Sequence, residues 1–144
     1  MGKKRIIEKG EQGGDSGLRS RAAAKGGKLR LSSGILHVQS SFNNTKLLVT
    51  DGEGNAVLAS SSGALGFKGA KKGTPFAAAK VGELLAEKAE QMGIKEVGVI
   101  VRGIGSGRES AIRAFTSRGI LISSILDTTP IPHNGPKPKK PRRV

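Results

Sequence analysis

The sequence predicts an α/β domain built on one mixed, five-stranded sheet with helices packed against it, in the order β-β-β-α-β-α-β. Two observations carry that expectation, and a third marks where the folded part lies. Apolar residues alternate at period two through Leu36, Val38 and Phe42, and again at Leu47 and Val49, as in strands with one buried face. The second half switches to an alternation of helical stripes and short apolar runs, the pattern of parallel strands joined by right-handed crossovers. The charge, finally, is concentrated outside this region. The 144-residue chain has a formal net charge of +14, yet residues 34–127 hold eleven Lys and Arg against eight acids, an ordinary globular balance.

The first strand is expected where Leu36, Val38, Ser40 and Phe42 share one face. Asn43-Asn44 then marks a tight hairpin turn, because Asn tolerates positive φ. Thr45 to Thr50 is the partner strand. Asp51-Gly52-Glu53-Gly54 is a second turn, and Asn55 to Ser60 a third, weaker strand, which together make an antiparallel meander. Gly63 to Gly73 (GALGFKGAKKG) reads as a loop. Thr74-Pro75 opens a helix, since Thr caps and Pro at the first helical position loses no useful donor. Ala78, Val81, Leu85, Ala89 and Met92 form its apolar stripe, Lys80, Glu83, Glu87 and Glu90 lie off it, and Gly93 ends it. Val97 to Val101 is a β-branched run suited to a strand covered on both faces. Gly103 to Gly107 is a tight loop. Ser106 and Glu109 have capping-box spacing, so a second helix begins there. Glu109 and Arg113 can pair at i,i+4. Ala111, Ile112, Ala114 and Phe115 supply its apolar face, Gly119 ends it, and Ile120 to Leu126 is the last strand.

The ends differ from the middle. Residues 1–33 carry nine Lys and Arg against three acids, with scattered apolar residues. They read as a flexible basic extension ordered on binding, with a short helix around Leu18–Ala24 as the one structured candidate. Residues 128–144 hold five of the six prolines and five cations without an acid. Such a segment cannot bury apolar surface, stays extended, and needs an anionic counterpart. A dense polyanion fits, and nucleic acid is the first candidate.

Several chemistries are disfavoured. There is no cysteine, and two distant histidines, His37 and His133, make a zinc site improbable. No apolar run approaches the ~20 residues of a membrane helix. No secretory h-region follows Lys3, Lys4 and Arg5, so a cytoplasmic protein is expected, with an organellar address left open. The loop Gly103-Ile104-Gly105-Ser106-Gly107 is no dinucleotide fingerprint, no Walker A pattern occurs, and no cofactor or small-molecule substrate is implied. Asp51, Glu53, Glu109 and Asp127 are the only acids that could serve a metal-dependent nuclease, and they do not obviously converge. His37 reads as a strand residue bonded to a neighbour.

What remains points to phosphate. The 103–107 loop, flanked by Arg102 and Arg108 at a helix N-terminus, is anion-friendly, with a plain tight turn as the competing reading. Lys68, Lys71 and Lys72 lie in a glycine-rich loop with no acid between Glu53 and Glu83, which favours phosphate contact over decoration. With four Phe, no Trp and no Tyr, contact should run through phosphate, sugar and shape rather than through successive stacked bases. His133 in the tail suits a polar contact to RNA. Asn134-Gly135 is prone to succinimide formation, because Gly does not shield the preceding side chain.

Four motifs occur in order: Ser41-Phe42-Asn43-Asn44-Thr45; Thr74-Pro75-Phe76-Ala77-Ala78; Gly107-Arg108-Glu109-Ser110 with Ile112-Arg113-Ala114; and Thr129-Pro130-Ile131-Pro132-His133-Asn134-Gly135. Lys139-Lys140-Pro141-Arg142-Arg143-Val144 closes the set. Over residues 34–144 the chain closely resembles the bacterial-type small-subunit ribosomal protein S-eleven family. The resemblance implies a ribonuclease-H-like fold without catalysis. It also implies a place on the platform of the small subunit, bound to its rRNA, with neighbouring ribosomal proteins and the mRNA exit close by. The RNA-contacting residues then expected are Asn43, Asn44, Lys46, Lys68, Lys71, Lys72, Arg102, Arg108, Arg113, His133, Asn134, Lys137, Lys139, Lys140, Arg142 and Arg143. The family often carries prolines where this chain has Ile104 and Ser106. The competing readings are a metal-dependent nuclease of the ribonuclease-H type and a free-standing basic RNA chaperone.

Overall fold

The computed structural model describes residues 30–143; the helix expected around Leu18–Ala24 lies outside them. Strands β1 (Ser33–Ser40), β2 (Thr45–Thr50) and β3 (Ala56–Ser61) form the antiparallel meander. After a short 3₁₀ turn at Gly69–Gly73 come helix α1 (Pro75–Met92), β4 (Glu96–Arg102), α2 (Gly107–Thr116) and β5 (Leu121–Asp127). The five strands form one mixed sheet in the order β3-β2-β1-β4-β5, with β4 parallel to both β1 and β5.

Local chemistry explains the boundaries. Thr74 Oγ1 accepts the Ala77 N–H at 3.3 Å at the start of α1, and Gly93, at φ 85°, ends it by donating back to Ala89 and Glu90. The β2–β3 turn is closed by Asp51. Its Oδ1 accepts the N–H groups of Glu53 (3.0 Å) and Asn55 (2.8 Å), and its Oδ2 accepts the Asn55 side-chain amide (2.9 Å). Those bonds, the Asn55 side chain first, hold the Asp51 carboxyl below its ordinary value.

Topology explains the layering. β3, β1 and β4 run in one direction, so the crossovers through α1 and α2 both advance the same way across the sheet. Right-handed connections then put both helices on one face. There α1 packs on β2 and β3, α2 packs on β1, and the helices pack on each other. The core is Leu36, Val38, Leu47, Val49, Val81, Leu85, Val97, Val99 and Phe115, all essentially solvent-free. At the helix crossing a Cβ on Gly82 would stand 2.6 Å from the Ala111 carbonyl, so only glycine permits this approach.

Several expectations are corrected. The strand expected to reach Phe42 ends at Ser40, and Phe42 is 74% exposed in the turn, because period two does not register where pairing stops. Neither Asn43 nor Asn44 adopts positive φ; four residues, Ser41 to Asn44, span the turn instead. The third strand starts one residue later than expected. Among the described residues β4 is buried on one face only: Val97, Val99 and Val101 face the helices, whereas Gly98 and Ile100 face the side without helices. The capping box does not form, because Ser106 has helical φ and ψ and its hydroxyl donates instead to Gly73 O at 3.1 Å. Glu109 and Arg113 make no ion pair with each other. α2 stops at Thr116, three residues before Gly119, with the Ser117 N–H bonded to Arg113 O.

Candidate nucleic-acid interface

The carboxyl ends of the parallel strands β1, β4 and β5 lie at one end of the sheet, and four segments leave from or arrive there. They are the β1–β2 turn, the glycine–lysine loop, the β4–α2 loop and the start of the C-terminal tail. Asn43, Asn44, Lys46, Lys68, Lys71, Lys72, Arg102 and Arg108 are brought to this end or its margin. Asp51, Glu53, Glu90 and Glu96 belong to the opposite end, since they follow β2, close α1 or begin β4. The fold therefore gathers cations at one end, where Asp127 and Glu109 are the acids beside them.

Glycines let these segments pack together. A Cβ on Gly73 would stand 1.9 Å from Phe42 O, on Gly103 2.0 Å from Ser40 O, and on Gly105 2.3 Å from Ser41 O. On Gly107 it would meet Thr45 Oγ1 at 2.6 Å and Ala78 Cβ at 2.7 Å. All four glycines thus close around the stretch Ser40–Thr45. Inside, Ser40 Oγ and Thr45 Oγ1 share a buried hydrogen bond of 3.2 Å, and Ser62 Oγ donates to Thr45 O at 3.3 Å. The Ser41 N–H donates to Asn44 O at 2.9 Å and closes the turn. Asn44 Oδ1 is buried with no partner among the described residues.

The β4–α2 loop has a packing role that its sequence did not signal. Two of its N–H groups are committed within the chain: Gly105 donates to Ser40 O (3.0 Å) and Gly103 to Thr129 Oγ1 (3.1 Å). Its glycines serve close packing. Arg102 is exposed at the end of β4. Arg108 is half-buried, and its Nη1 donates to Gly103 O (3.0 Å) and Asp127 Oδ2 (3.1 Å), so part of its guanidinium is committed inside the chain.

Asp127 fixes where the tail departs. Its Oδ1 accepts the Thr129 N–H (2.9 Å) and the Thr129 hydroxyl. The Thr128 N–H donates to Val101 O at 2.9 Å. Asp127 is held below its ordinary value of 3.8, by the Thr129 hydroxyl first, then the Thr129 N–H and, more weakly, Arg108. Beyond Thr129 the described tail is exposed, including His133, Lys137, Lys139, Lys140, Arg142 and Arg143. Asn134 is the one described non-glycine residue at positive φ, 55°.

Lys68 and Lys71 are exposed and Lys72 is half-buried; Thr74 Oγ1 donates to Lys71 O at 2.6 Å and ties this loop to the helix start. Arg113 is not part of the cluster: it lines a groove between the helices with Phe76, Ala79 and Ser110. Phe42 and Phe76, 74% and 65% exposed, were missed as surface aromatics; their count in the chain signals scarcity, not position. Phe76 stacks edge-on against Phe67 and carries Lys80 over its ring. Asp51 and Asp127 stand at opposite ends of the sheet, and no three acid or histidine side chains among the described residues are grouped to hold a metal ion. The family model described as ribosomal protein S11 matches residues 34–143, which include the sheet, both helices and all four clustered segments.

Proposed function

The chain belongs to the ribosomal protein S11 family, and so is an RNA-binding protein of the small ribosomal subunit; from that premise we propose that it occupies the platform near the mRNA exit as a structural, non-catalytic constituent. The observation that carries this reading is the convergence of four segments at one cation-rich end of a nearly neutral domain. Lys68, Lys71, Lys72, Arg102 and the free nitrogens of Arg108 neutralise phosphates there, flanked by the polar turn Asn43-Asn44 and by Lys46. Phe42 adds an exposed apolar plane for a sugar or base. Arg113 serves a second, lateral contact. The tail, with His133, Asn134, Lys137, Lys139, Lys140, Arg142 and Arg143, follows an RNA groove too narrow for a folded element. Each cation that replaces a condensed counterion adds salt-dependent affinity.

In this reading residues 1–33 are a basic extension, 34–127 the RNA-binding domain and 128–144 a proline-rich tail. The sheet order and the helices gathered on one face support the ribonuclease-H-like label, while the separation of Asp51 from Asp127 supports a domain that holds RNA without cutting it. Crosslinking in assembled small subunits, read at nucleotide resolution, tests the placement. Crosslinks from Lys68, Lys71 and the tail should fall on platform rRNA. Crosslinks confined to another part of the subunit would overturn it, and release of the protein from subunits by a high-salt wash would favour the chaperone reading. Magnesium-dependent cleavage of an RNA–DNA hybrid, lost on mutating Asp51 and Asp127, would overturn the non-catalytic role.

A further inference from the structure

Because both helices lie on one face, the other face of the sheet is bare among the described residues, and its side chains form ordered cross-strand rows. Ser61, Lys46, Gln39 and Arg102 are adjacent across β3, β2, β1 and β4. One step along the strands, Ala59, Leu48, His37, Ile100 and Leu126 are adjacent across all five strands. The first row is polar and carries two cations; the second is apolar around one imidazole; neither contains an acid. The first row borders the cation-rich end of the sheet. Between them a shallow groove of about 470 Å³ is lined by His37, Gln39, Lys46, Leu48, Ala59 and Ser61. His37 Nε2 is bonded to Thr50 Oγ1 at 3.2 Å, which fixes the ring in the sheet.

We propose that this groove takes one unpaired nucleotide of RNA, with its base on Leu48, Ala59 and the His37 ring and its phosphate against Lys46 and Arg102. The inference rests on the RNA-binding reading above and adds a base-contacting site to it. A duplex offers mainly phosphate and sugar and would leave the apolar row uncovered. A splayed-out base covers such a row and stacks on a flat ring such as imidazole. The spacing suits one nucleotide, since adjacent rows on one sheet face are about 6.5–7 Å apart. Gln39 and Ser61 supply donors and acceptors for a base edge. An apolar protein segment fits less well, because it would desolvate Lys46 and Arg102 without an opposite charge.

The chain contains only two histidines, His37 in the groove and His133 in the tail. With the full chain labelled with ¹⁵N-histidine, imidazole spectra are recorded at one fixed pH during titration with hexa-adenylate RNA, and separately with inorganic polyphosphate of matched charge. The expected result is that His133 shifts with both polyanions and His37 shifts with the RNA only. Leu48→Thr, which keeps a strand-forming residue in place, should weaken hexa-adenylate binding roughly fivefold or more while the His133 response remains. If His133 moves and His37 does not, the groove is left to a protein neighbour and the proposal is overturned, with the RNA-binding reading intact. Equal shifts of His37 with polyphosphate would also overturn it, since no base is then involved. If neither histidine responds to RNA, the tail's role and the groove fall together.

Discussion

Replacing Gly105 by alanine separates two roles for the β4–α2 loop. The added Cβ would stand 2.3 Å from both Ser40 Oγ and Ser41 O, where ordinary contacts are 3.4–4 Å. Overpacking of this kind costs about 1–3 kcal/mol. Relief by moving Ser40 breaks its buried bond to Thr45 Oγ1, and a buried hydroxyl left without a partner costs about 1–3 kcal/mol more. Alanine also stiffens the unfolded chain, which offsets about 0.4–1 kcal/mol. The balance is a loss of about 3 kcal/mol. At about 4 °C per kcal/mol for a domain of this size, the melting temperature should fall by about 12 °C. Far-UV circular dichroism of the full chain without RNA measures it. An unchanged melting temperature combined with tenfold weaker rRNA binding would refute the packing role and restore the loop as an anion site.

The remaining expectations concern charge. Replacing Lys68, Lys71 and Lys72 together with alanine should reduce the slope of log K against log salt by about 2–3 and leave the melting temperature nearly unchanged, as thermal melts and salt-titrated filter binding will show. Removing residues 135–144 should flatten the same slope by about 3–4; an unaltered slope would mean that the tail touches no phosphate. Asp127→Asn removes a negative charge from a cationic surface, yet should weaken rRNA binding roughly twofold to tenfold, because the tail loses its fixed departure and must be ordered on binding. The pH dependence has a definite sign. The Asp127 carboxyl is depressed below 3.8 in the folded chain, so its clasp is complete above that pH and is lost only as the pH falls through the lower folded value. The Thr129 amide resonance should therefore stay constant from neutral pH to about pH 4 and move below it; movement already near neutral pH would contradict the clasp.

Where structure is decided by chemistry within a few residues, the sequence was legible. Helix α1 runs from Pro75 to Met92, as Thr74-Pro75 and Gly93 imply, because capping and left-handed termination are local. β2 matches its expected bounds because Thr45 and Thr50 lie beside turns with their own signals. The second face of β4 was not legible. A β-branched run signals a central strand, but what covers it depends on the direction of both crossovers, hence on the order of all five strands. The β4–α2 glycines were legible as a tight loop and not as packing surfaces. Their neighbours, Ser40, Ser41, Thr45 and Ala78, are remote in sequence, and a glycine needed for a phosphate looks the same as one needed for a carbonyl. Arg108 reads as a free cation until its partner Asp127, nineteen residues away, is in place.

The closure of four glycines around Ser40–Thr45 sets the order in which binding costs fall. The three loops at that end are already fixed by one another, so under the proposed RNA contact the ordering cost would fall on the RNA and little of it on the protein. The tail beyond Thr129 is exposed and has no such support among the described residues, so laying it on RNA would cost the freedom it then gives up. On the proposed function the loops would act as a template to which the RNA conforms, and the tail as a strap that conforms to the RNA. An RNA still unfolded at that site would engage the strap without the template and be held weakly. Retention would then depend on the RNA having reached its shape.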